Sequence, residues 1–196
     1  MAEIGIRMAG ELNQLEQEIL LKIAREALIK STQNQTLPEI NLDDLPTSLQ
    51  VNGASFVTLT KDDHLRGCIG TLEAYQPLAL DVQEHALAAA QQDPRFPRVR
   101  FEEVEQIKIE VSVLTPKIPL EYKMPEELPE KIRPKIDGVV LQDGFRKATF
   151  LPQVWDQLEE PEAFLSHLCA KMGAPSNLWQ KKLLTVYTYQ VQEFQE

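Results

Sequence analysis

The chain has few cysteines, few glycines and no long apolar run, and each shortage argues against a class of protein. Two cysteines among 196 residues are too few for a disulfide scaffold or for an iron–sulfur cluster bound by one chain. No apolar run approaches the roughly 20 residues that cross a bilayer, and residues 1–10 lack the pattern of a signal peptide. These shortages predict a cytoplasmic protein with reduced thiols and no membrane association.

Basic residues are also scarce, because 20 lysines and arginines face 30 acidic residues and leave a net charge of −10. A nucleic-acid partner is therefore not expected, since binding a phosphate backbone requires a basic stripe. The densest basic cluster, formed by Arg95, Arg98 and Arg100, is short, and solvated surface explains it as well as a ligand does.

Several common catalytic signatures are missing from the sequence. It contains no G-x-S-x-G, Walker A or G-x-G-x-x-G string, which argues against α/β-hydrolases, P-loop proteins and dinucleotide-binding proteins. His64 and Cys68 have a spacing that suits a metal site, but no further ligand converges with them in sequence. The sequence therefore predicts neither a metal nor a cofactor.

Hydrophobic periodicity predicts helices and strands that alternate along the first half of the chain. Apolar residues recur at helical steps over 11–30, and a second helix is predicted from 77 to 94, between two prolines. Strands are predicted over 55–60 and 65–72. A third, over 107–114, alternates apolar and polar residues as a half-buried strand does.

The second half of the chain repeats the order strand, turn, strand, helix, strand. A proline-rich connector leads to a predicted hairpin with its two-residue turn at Asp143-Gly144. A helix that Gly173 ends and a final β-branched and aromatic strand follow.

This repeated order predicts an internal duplication. Arg66 corresponds to Arg146 at an offset of 80, and the third strands, from Ile107 and Leu184, are offset by 77. The predicted fold is therefore α+β, with two related lobes whose mainly antiparallel sheet is covered by helices.

The length predicts one domain behind a short extension. Residues 1–10 are expected to form a disordered N-terminal extension, and residues 11–196 a single domain made of two lobes. The lobes are expected at approximately 50–115 and 136–193, with the helix at 11–30 packed on them.

The stretch HLRGCIGTLE, residues 64–73, is the strongest candidate for a functional site. In an extended strand Leu65 and Ile69 share one face and are the expected core anchors, whereas Cys68 shares the other face with Arg66. A guanidinium beside a thiol favours the reactive thiolate. The alternative is that Cys68 simply packs, because free cysteine is among the most buried residue types.

Gly67 and Gly70 strengthen the functional interpretation of this strand. Each glycine costs roughly 0.5–1 kcal/mol relative to alanine inside a strand. A strand keeps such residues where it needs a bulge, a left-handed conformation, or the close approach of another backbone or a ligand.

The DPRFPR segment, residues 93–98, is the second candidate. Its two prolines stiffen the loop and would hold Asp93 and Arg95 in fixed positions. If the loop lies against the cysteine strand, the two form a polar cleft with a cationic rim that suits a carboxylate or a phosphate. The alternative is a helix stop in which Phe96 fills the core and Asp93 pairs with Arg95.

Several strings in the chain resemble the AMMECR family, whose bacterial and archaeal members are named AmmeMemoRadiSam system protein A. The strings are LRGCIGTLE, DPRFPRV, EVSVLTP, ATFLPQVW, and FLSHLCAKMG with a distal Trp179. The resemblance runs from about Leu12 to Glu193. It implies an α+β fold with two related lobes, and functional association with a Memo-like protein and a radical-SAM enzyme. It implies no reaction, cofactor or catalytic residue.

Two functions are compatible with these segments, besides a purely structural role in which the signature serves folding alone. The favoured one is a cytoplasmic accessory or binding protein whose cleft around Arg66–Gly70 receives a small molecule, a peptide or a segment of a partner enzyme. The other is a thiol-dependent enzyme in which Cys68 is the nucleophile or redox residue and Arg66 its electrostatic activator. Asp93 or His64 would then accept the proton. The predicted binding residues are Gly67, Ile69, Gly70, Thr71, Asp93, Arg95 and Phe96.

Overall fold

The computed structural model describes residues 11–196, so the extension predicted at 1–10 lies outside the described residues. The described chain combines helices with antiparallel sheets, which confirms the predicted α+β class. It divides into two compact units. The first extends to Leu114 and includes Gln192–Glu196, and the second is Thr115–Val191.

The helices and strands of the described chain have the following bounds. The α-helices are α1 (Gln14–Thr32), α2 (Thr47–Gln50), α3 (Leu78–Gln91), α4 (Leu128–Lys131), α5 (Pro161–Lys171) and α6 (Leu178–Lys181). The strands are β1 (Asn52–Gly53), β2 (Ser55–Lys61), β3 (His64–Gly70), β4 (Gln76–Pro77), β5 (Ile107–Leu114), β6 (Ile118–Pro119), β7 (Gly138–Asp143), β8 (Arg146–Phe150), β9 (Thr185–Tyr189) and β10 (Val191–Gln195). Short 3₁₀ helices occupy Leu42–Asp44, Phe101–Gln106, Pro125–Glu127 and Pro152–Asp156.

Helix α1 begins at a capping box. The Asn13 side chain accepts a hydrogen bond from the Glu16 amide at 3.0 Å, and the Glu16 carboxylate accepts one from the Asn13 amide at 2.6 Å. These bonds satisfy amides that the first helical turn leaves unpaired. Leu20, Ala24 and Leu28, at four-residue steps, are fully buried and bring α1 into the core.

The sheet of the first unit has the strand order β10-β5-β2-β3, so β3 lies at an edge. Helices α1 and α3 pack together, and α3 also packs on β2 and β3. Val57 and Leu59 of β2 pair with Val111 and Ile109 of β5. All four side chains are buried because they point to the face that the helices cover.

A β-bulge at Arg66 changes the face on which Leu65 lies. Leu59 pairs with Gly67 but Thr60 pairs with Leu65, so Arg66 is an extra residue between two paired positions. Leu65 therefore shares a face with Thr60 and is 43% exposed. The prediction that Leu65 anchors the core is wrong, because a bulge reverses the alternation on its N-terminal side.

Gly67 is required by the close approach of helix α3. A Cβ atom at this position would overlap the main-chain carbonyl oxygen of Ala89. At Gly70 a Cβ would overlap the ring of Phe56 and the main-chain carbonyl oxygen of Ser55. Both glycines are therefore explained by packing within the first unit. At Gly67 the reason is the close approach of another backbone, which is one of the reasons that the sequence predicts for a glycine in this strand.

The sheet of the second unit has the order β6-β9-β7-β8, and its hairpin, helix and third strand repeat the connectivity of the first unit. The hairpin β7–β8 corresponds to β2–β3, α5 to α3, and β9 to β5. The hairpin ends are the pairs Lys61–His64 and Asp143–Arg146, so the structure matches His64, rather than Arg66, with Arg146.

The turn of the second hairpin begins one residue later than the sequence predicts. Because Asp143 pairs with Arg146, the two turn residues are Gly144 and Phe145. Gly144 supplies the positive φ of 59° that this tight connection uses.

We expect Gly67→Ala to lower the free energy of unfolding by about 3 kcal/mol, because the new methyl group would have to displace the backbone of α3. Gly144→Ala is the control. Its methyl group meets nothing within 4 Å and adds only the strain of a positive φ, about 1 kcal/mol. Urea unfolding of both variants measures the difference, and equal losses would contradict the packing explanation.

Candidate functional site

The DPRFPR loop lies against the free edge of β3, which is the contact on which the predicted cleft depends. The main-chain amide of Cys68 donates to Asp93 Oδ2 at 2.9 Å, and the Cys68 carbonyl accepts from Arg95 Nη2 at 3.0 Å. One carboxylate and one guanidinium thus satisfy the outward peptide groups that a neighbouring strand would otherwise satisfy. We call this arrangement the edge clamp.

Asp93 uses both of its oxygens in the edge clamp. Oδ1 accepts from the Arg95 amide at 3.0 Å and from Arg95 Nε at 2.9 Å, and Oδ2 also accepts from Arg95 Nη2 at 2.7 Å. The side chain is buried. The hydrogen bonds from Arg95 hold the pKa of Asp93 far below its usual range, despite the opposing effect of burial. A carboxylate with four donors is a poor proton acceptor, which disfavours the predicted role of Asp93 as a base.

Arg66 holds the same loop from a second position. Its Nε and Nη2 bind Glu103 Oε2 and Oε1 at 3.0 and 3.1 Å, and its Nη1 and Nη2 donate to the carbonyls of Pro97 and Arg98 at 2.8 and 3.3 Å. These contacts hold the Arg66 guanidinium against Glu103 and the loop. They give no support to the predicted activation of Cys68 by Arg66.

Glu103 is the acidic partner of this second attachment. Hydrogen bonds from Arg66 are the main cause that lowers the pKa of Glu103 from 4.5 to about 2, and the Arg100 amide adds to the effect. Glu103 therefore stays ionised at any physiological pH.

The Cys68 side chain lies on the sheet face opposite the core. Cys68 pairs with Thr58, whose neighbours Val57 and Leu59 point into the core. Thr58 Oγ1 donates a hydrogen bond to Cys68 Sγ at 3.3 Å, and Cys68 is half-buried. The thiol thus stands outside the dry hydrocarbon core and is held by a hydroxyl.

Glu110 extends this line of polar groups to the next strand, and the sequence reasoning missed it. Thr58 pairs with Cys68 on one side and with Glu110 on the other, so the three side chains share one face of the sheet. Burial raises the pKa of Glu110, and the charge of Glu193 adds to the effect. We call Cys68, Thr58 and Glu110 the polar row.

The remaining predicted residues lie in several different environments. Ile69 packs against the core and does not belong to the polar row. Phe96 is half-buried, with the Arg95 guanidinium 5.5 Å from its ring centroid.

Thr71 and His64 lie at the two ends of β3. Thr71 connects the end of β3 to β2, because its amide donates to the Ser55 carbonyl at 3.0 Å. His64 is exposed, and its Nδ1 lies 2.6 Å from the Asp62 carbonyl oxygen.

The described residues contain neither a metal-binding group of side chains nor a membrane-spanning helix. Within 11–196 no group of three or more histidine, cysteine or acidic residues is arranged to hold a metal ion. None of the helices in the same range combines the length and apolar character that crossing a bilayer demands.

We expect Glu103→Gln to lower the free energy of unfolding by about 2–3 kcal/mol at pH 7. The native pKa lies below the ordinary value of 4.5. Glu103 thus stabilises the fold above pH 4.5, and this stabilisation is lost as the pH falls through about 2. Urea unfolding between pH 7 and pH 2.5 should show the deficit shrinking. Glu102→Gln, on the exposed neighbour, should cost little at either pH. A Glu103→Gln deficit independent of pH would refute this assignment.

Comparison with known proteins places the chain in a family. The family model AMMECR1 matches residues 21–194. A protein of Methanothermobacter thermautotrophicus is 40% identical over 94% of this chain and 96% of its own length. A protein of Methanopyrus kandleri is 40% identical over 96% of this chain and 92% of its own.

The fold is also found in a solved structure. The crystal structure of the uncharacterized protein PH0010 from Pyrococcus horikoshii has a TM-score of 0.80 to this chain and 34% sequence identity. The similarity covers 94% of this chain and 93% of that one. The match to the family model, the archaeal relatives and the shared fold agree, and the chain belongs to the AMMECR1 family.

Proposed function

We propose that this AMMECR1-family chain is a cytoplasmic accessory or binding protein whose ligand contacts the polar row. The observation that carries the proposal is the edge clamp. Asp93 and Arg95 fix the peptide groups of Cys68, so the thiol is presented, beside Thr58 of β2, from a strand that does not need to reorganise. Fixing a surface before binding reduces the entropy lost on association.

Binding is favoured over catalysis because the groups that catalysis would use are engaged elsewhere. Asp93 accepts four hydrogen bonds within the clamp, and Arg66 is bound to Glu103 and to two loop carbonyls. The Nδ1 atom of His64 contacts the Asp62 carbonyl. What remains on the row is a thiol, a hydroxyl and a carboxyl group, which together suit hydrogen bonding to a polar ligand or peptide.

The resemblance to AmmeMemoRadiSam system protein A supplies the candidate partners. We propose that a Memo-like protein or a radical-SAM protein contributes the segment that contacts the polar row. Cys68 and Cys169 are both free thiols, which fits the reducing conditions of the cytoplasm.

We expect Thr58→Arg to weaken binding to the Memo-like or radical-SAM partner at least about tenfold, because a long cation would cover the centre of the row. Thr185→Arg, at the exposed first residue of β9 in the second unit, is the control and should bind as the unsubstituted chain does. Biolayer interferometry with each purified partner gives the dissociation constants, and circular dichroism confirms the fold of both variants.

Two results would contradict this proposal. Equal affinities of the Thr58→Arg and Thr185→Arg variants would remove the polar row from the interface. Failure of the unsubstituted chain to bind either purified partner would remove the partner assignment.

One observation favours thiol-dependent chemistry as a second candidate. The Thr58 hydroxyl donates a hydrogen bond to Cys68 Sγ at 3.3 Å and holds the sulfur on the outer face of the sheet, as a positioned nucleophilic or redox cysteine requires. In this alternative Cys68 forms the bond to the substrate, and Thr58 positions the sulfur.

Under the thiol alternative, iodoacetamide should alkylate Cys68 faster than an unstructured cysteine peptide at pH 7, and Thr58→Val should slow the reaction several-fold. Cys169 provides an internal control, because it is buried and burial raises its pKa. Mass spectrometry separates the two sites. Alkylation of Cys68 no faster than the peptide, or unchanged by Thr58→Val, would argue for binding alone.

A further inference from the structure

A second surface of the first unit concentrates positive charge around Glu103. This one carboxylate faces three cations: Arg66 Nε at 3.0 Å, Lys61 Nζ at 3.6 Å and Arg100 Nε at 4.0 Å. Arg66 alone is enough to neutralise Glu103. Lys61 and Arg100 therefore leave a local excess of positive charge on a chain whose net charge is −10.

Arg98 adds to this excess. Its side chain is exposed, whereas its main-chain carbonyl is held by Arg66. The neighbouring Arg95 is balanced by Asp93 at 2.7 Å, so it contributes little net charge. The Arg100 side chain is 79% exposed and can turn towards a partner.

The backbone beneath these arginines is fixed at both ends of the turn. The Val99 amide donates to the Ala90 carbonyl at 2.8 Å, and the Gln91 side chain donates to the Val99 carbonyl at 3.1 Å. Arg66 holds the carbonyls of Pro97 and Arg98. A partner would thus order two side chains rather than a whole loop, which lowers the entropic cost of binding.

Exposed apolar side chains accompany the arginines. Phe101 follows Arg100 and is 49% exposed, and Leu65 precedes Arg66 at the bulge. Arginine and aromatic residues are enriched in the centres of protein interfaces. We call Leu65, Arg98, Arg100 and Phe101 the arginine surface.

We propose that the arginine surface docks an acidic, partly apolar segment of a partner protein. Carboxylates of the segment pair with Arg98 and Arg100, and its apolar side chains cover Phe101 and Leu65. A small anion could not use these two apolar groups. A nucleic acid is disfavoured, because two arginines are too few for the basic stripe that a phosphate backbone requires. This inference does not depend on the polar row.

The test uses the whole chain and a fluorescein-labelled peptide of four Asp-Glu-Leu repeats. Fluorescence anisotropy should show saturable binding that weakens with added salt. Arg98→Glu should weaken it roughly tenfold, because one charge pair is lost and a repulsion replaces it. Lys22→Glu, the same change of charge at an exposed position of α1, should leave it unchanged. Phe101→Ser should weaken it at unchanged charge.

The results of these binding measurements distinguish a protein segment from a small anion and from RNA as the ligand of the arginine surface. No saturable binding of the peptide, or equal affinities of the Arg98→Glu and Lys22→Glu variants, would overturn the proposal. So would a Phe101→Ser variant with full affinity, which would indicate a site for small anions. Tighter binding of a twelve-nucleotide oligouridylate than of the peptide would replace the protein partner with RNA.

Discussion

The peptide unit of Cys68 is the point on which the candidate site depends. An edge strand presents unpaired amides and carbonyls, and here the Asp93 carboxylate takes the amide while the Arg95 guanidinium takes the carbonyl. Arg95 also neutralises Asp93, so this buried carboxylate is not left without a counter-charge. The DPRFPR loop thereby closes the edge of the sheet, fixes the strand that carries the thiol, and carries Arg98 of the arginine surface.

The second unit shows what is specific to this clamp. Thr149 occupies the place of Cys68, because Thr58 pairs with Cys68 and Val140 with Thr149 at matching positions of the two hairpins. Lys171, which ends α5, donates to the Thr149 carbonyl at 2.9 Å. In both units a cationic side chain therefore donates to the main-chain carbonyl at this position. In the first unit, in addition, the Asp93 carboxylate accepts from the main-chain amide, and the residue carries a thiol on the outer face of the sheet.

Much of the fold follows from local sequence, whereas the site depends on distant pairing. The alternation over Ile107–Leu114 and the proline after α3 predict a strand and a helix end that the structure contains. Gly67 allowed a bulge among several explanations, but the sequence did not place one at Arg66, since a bulge arises from the register of β2 on β3. This bulge moved Leu65 out of the core. Glu110 was missed for a similar reason, because its neighbour Thr58 lies far away in sequence and only the pairing of β2 with β5 brings them together.

Hydrogen exchange at the Cys68 amide tests the central claim most directly, because this amide has no strand partner and depends on Asp93. The account predicts that the Cys68 amide is protected in the unsubstituted chain. In Asp93→Ala, which leaves no acceptor for this amide, it should exchange at least roughly a hundredfold faster, while the Val57 amide inside the sheet keeps its protection. A Cys68 amide that exchanges freely in the unsubstituted chain, or is equally protected in Asp93→Ala, would contradict the edge clamp.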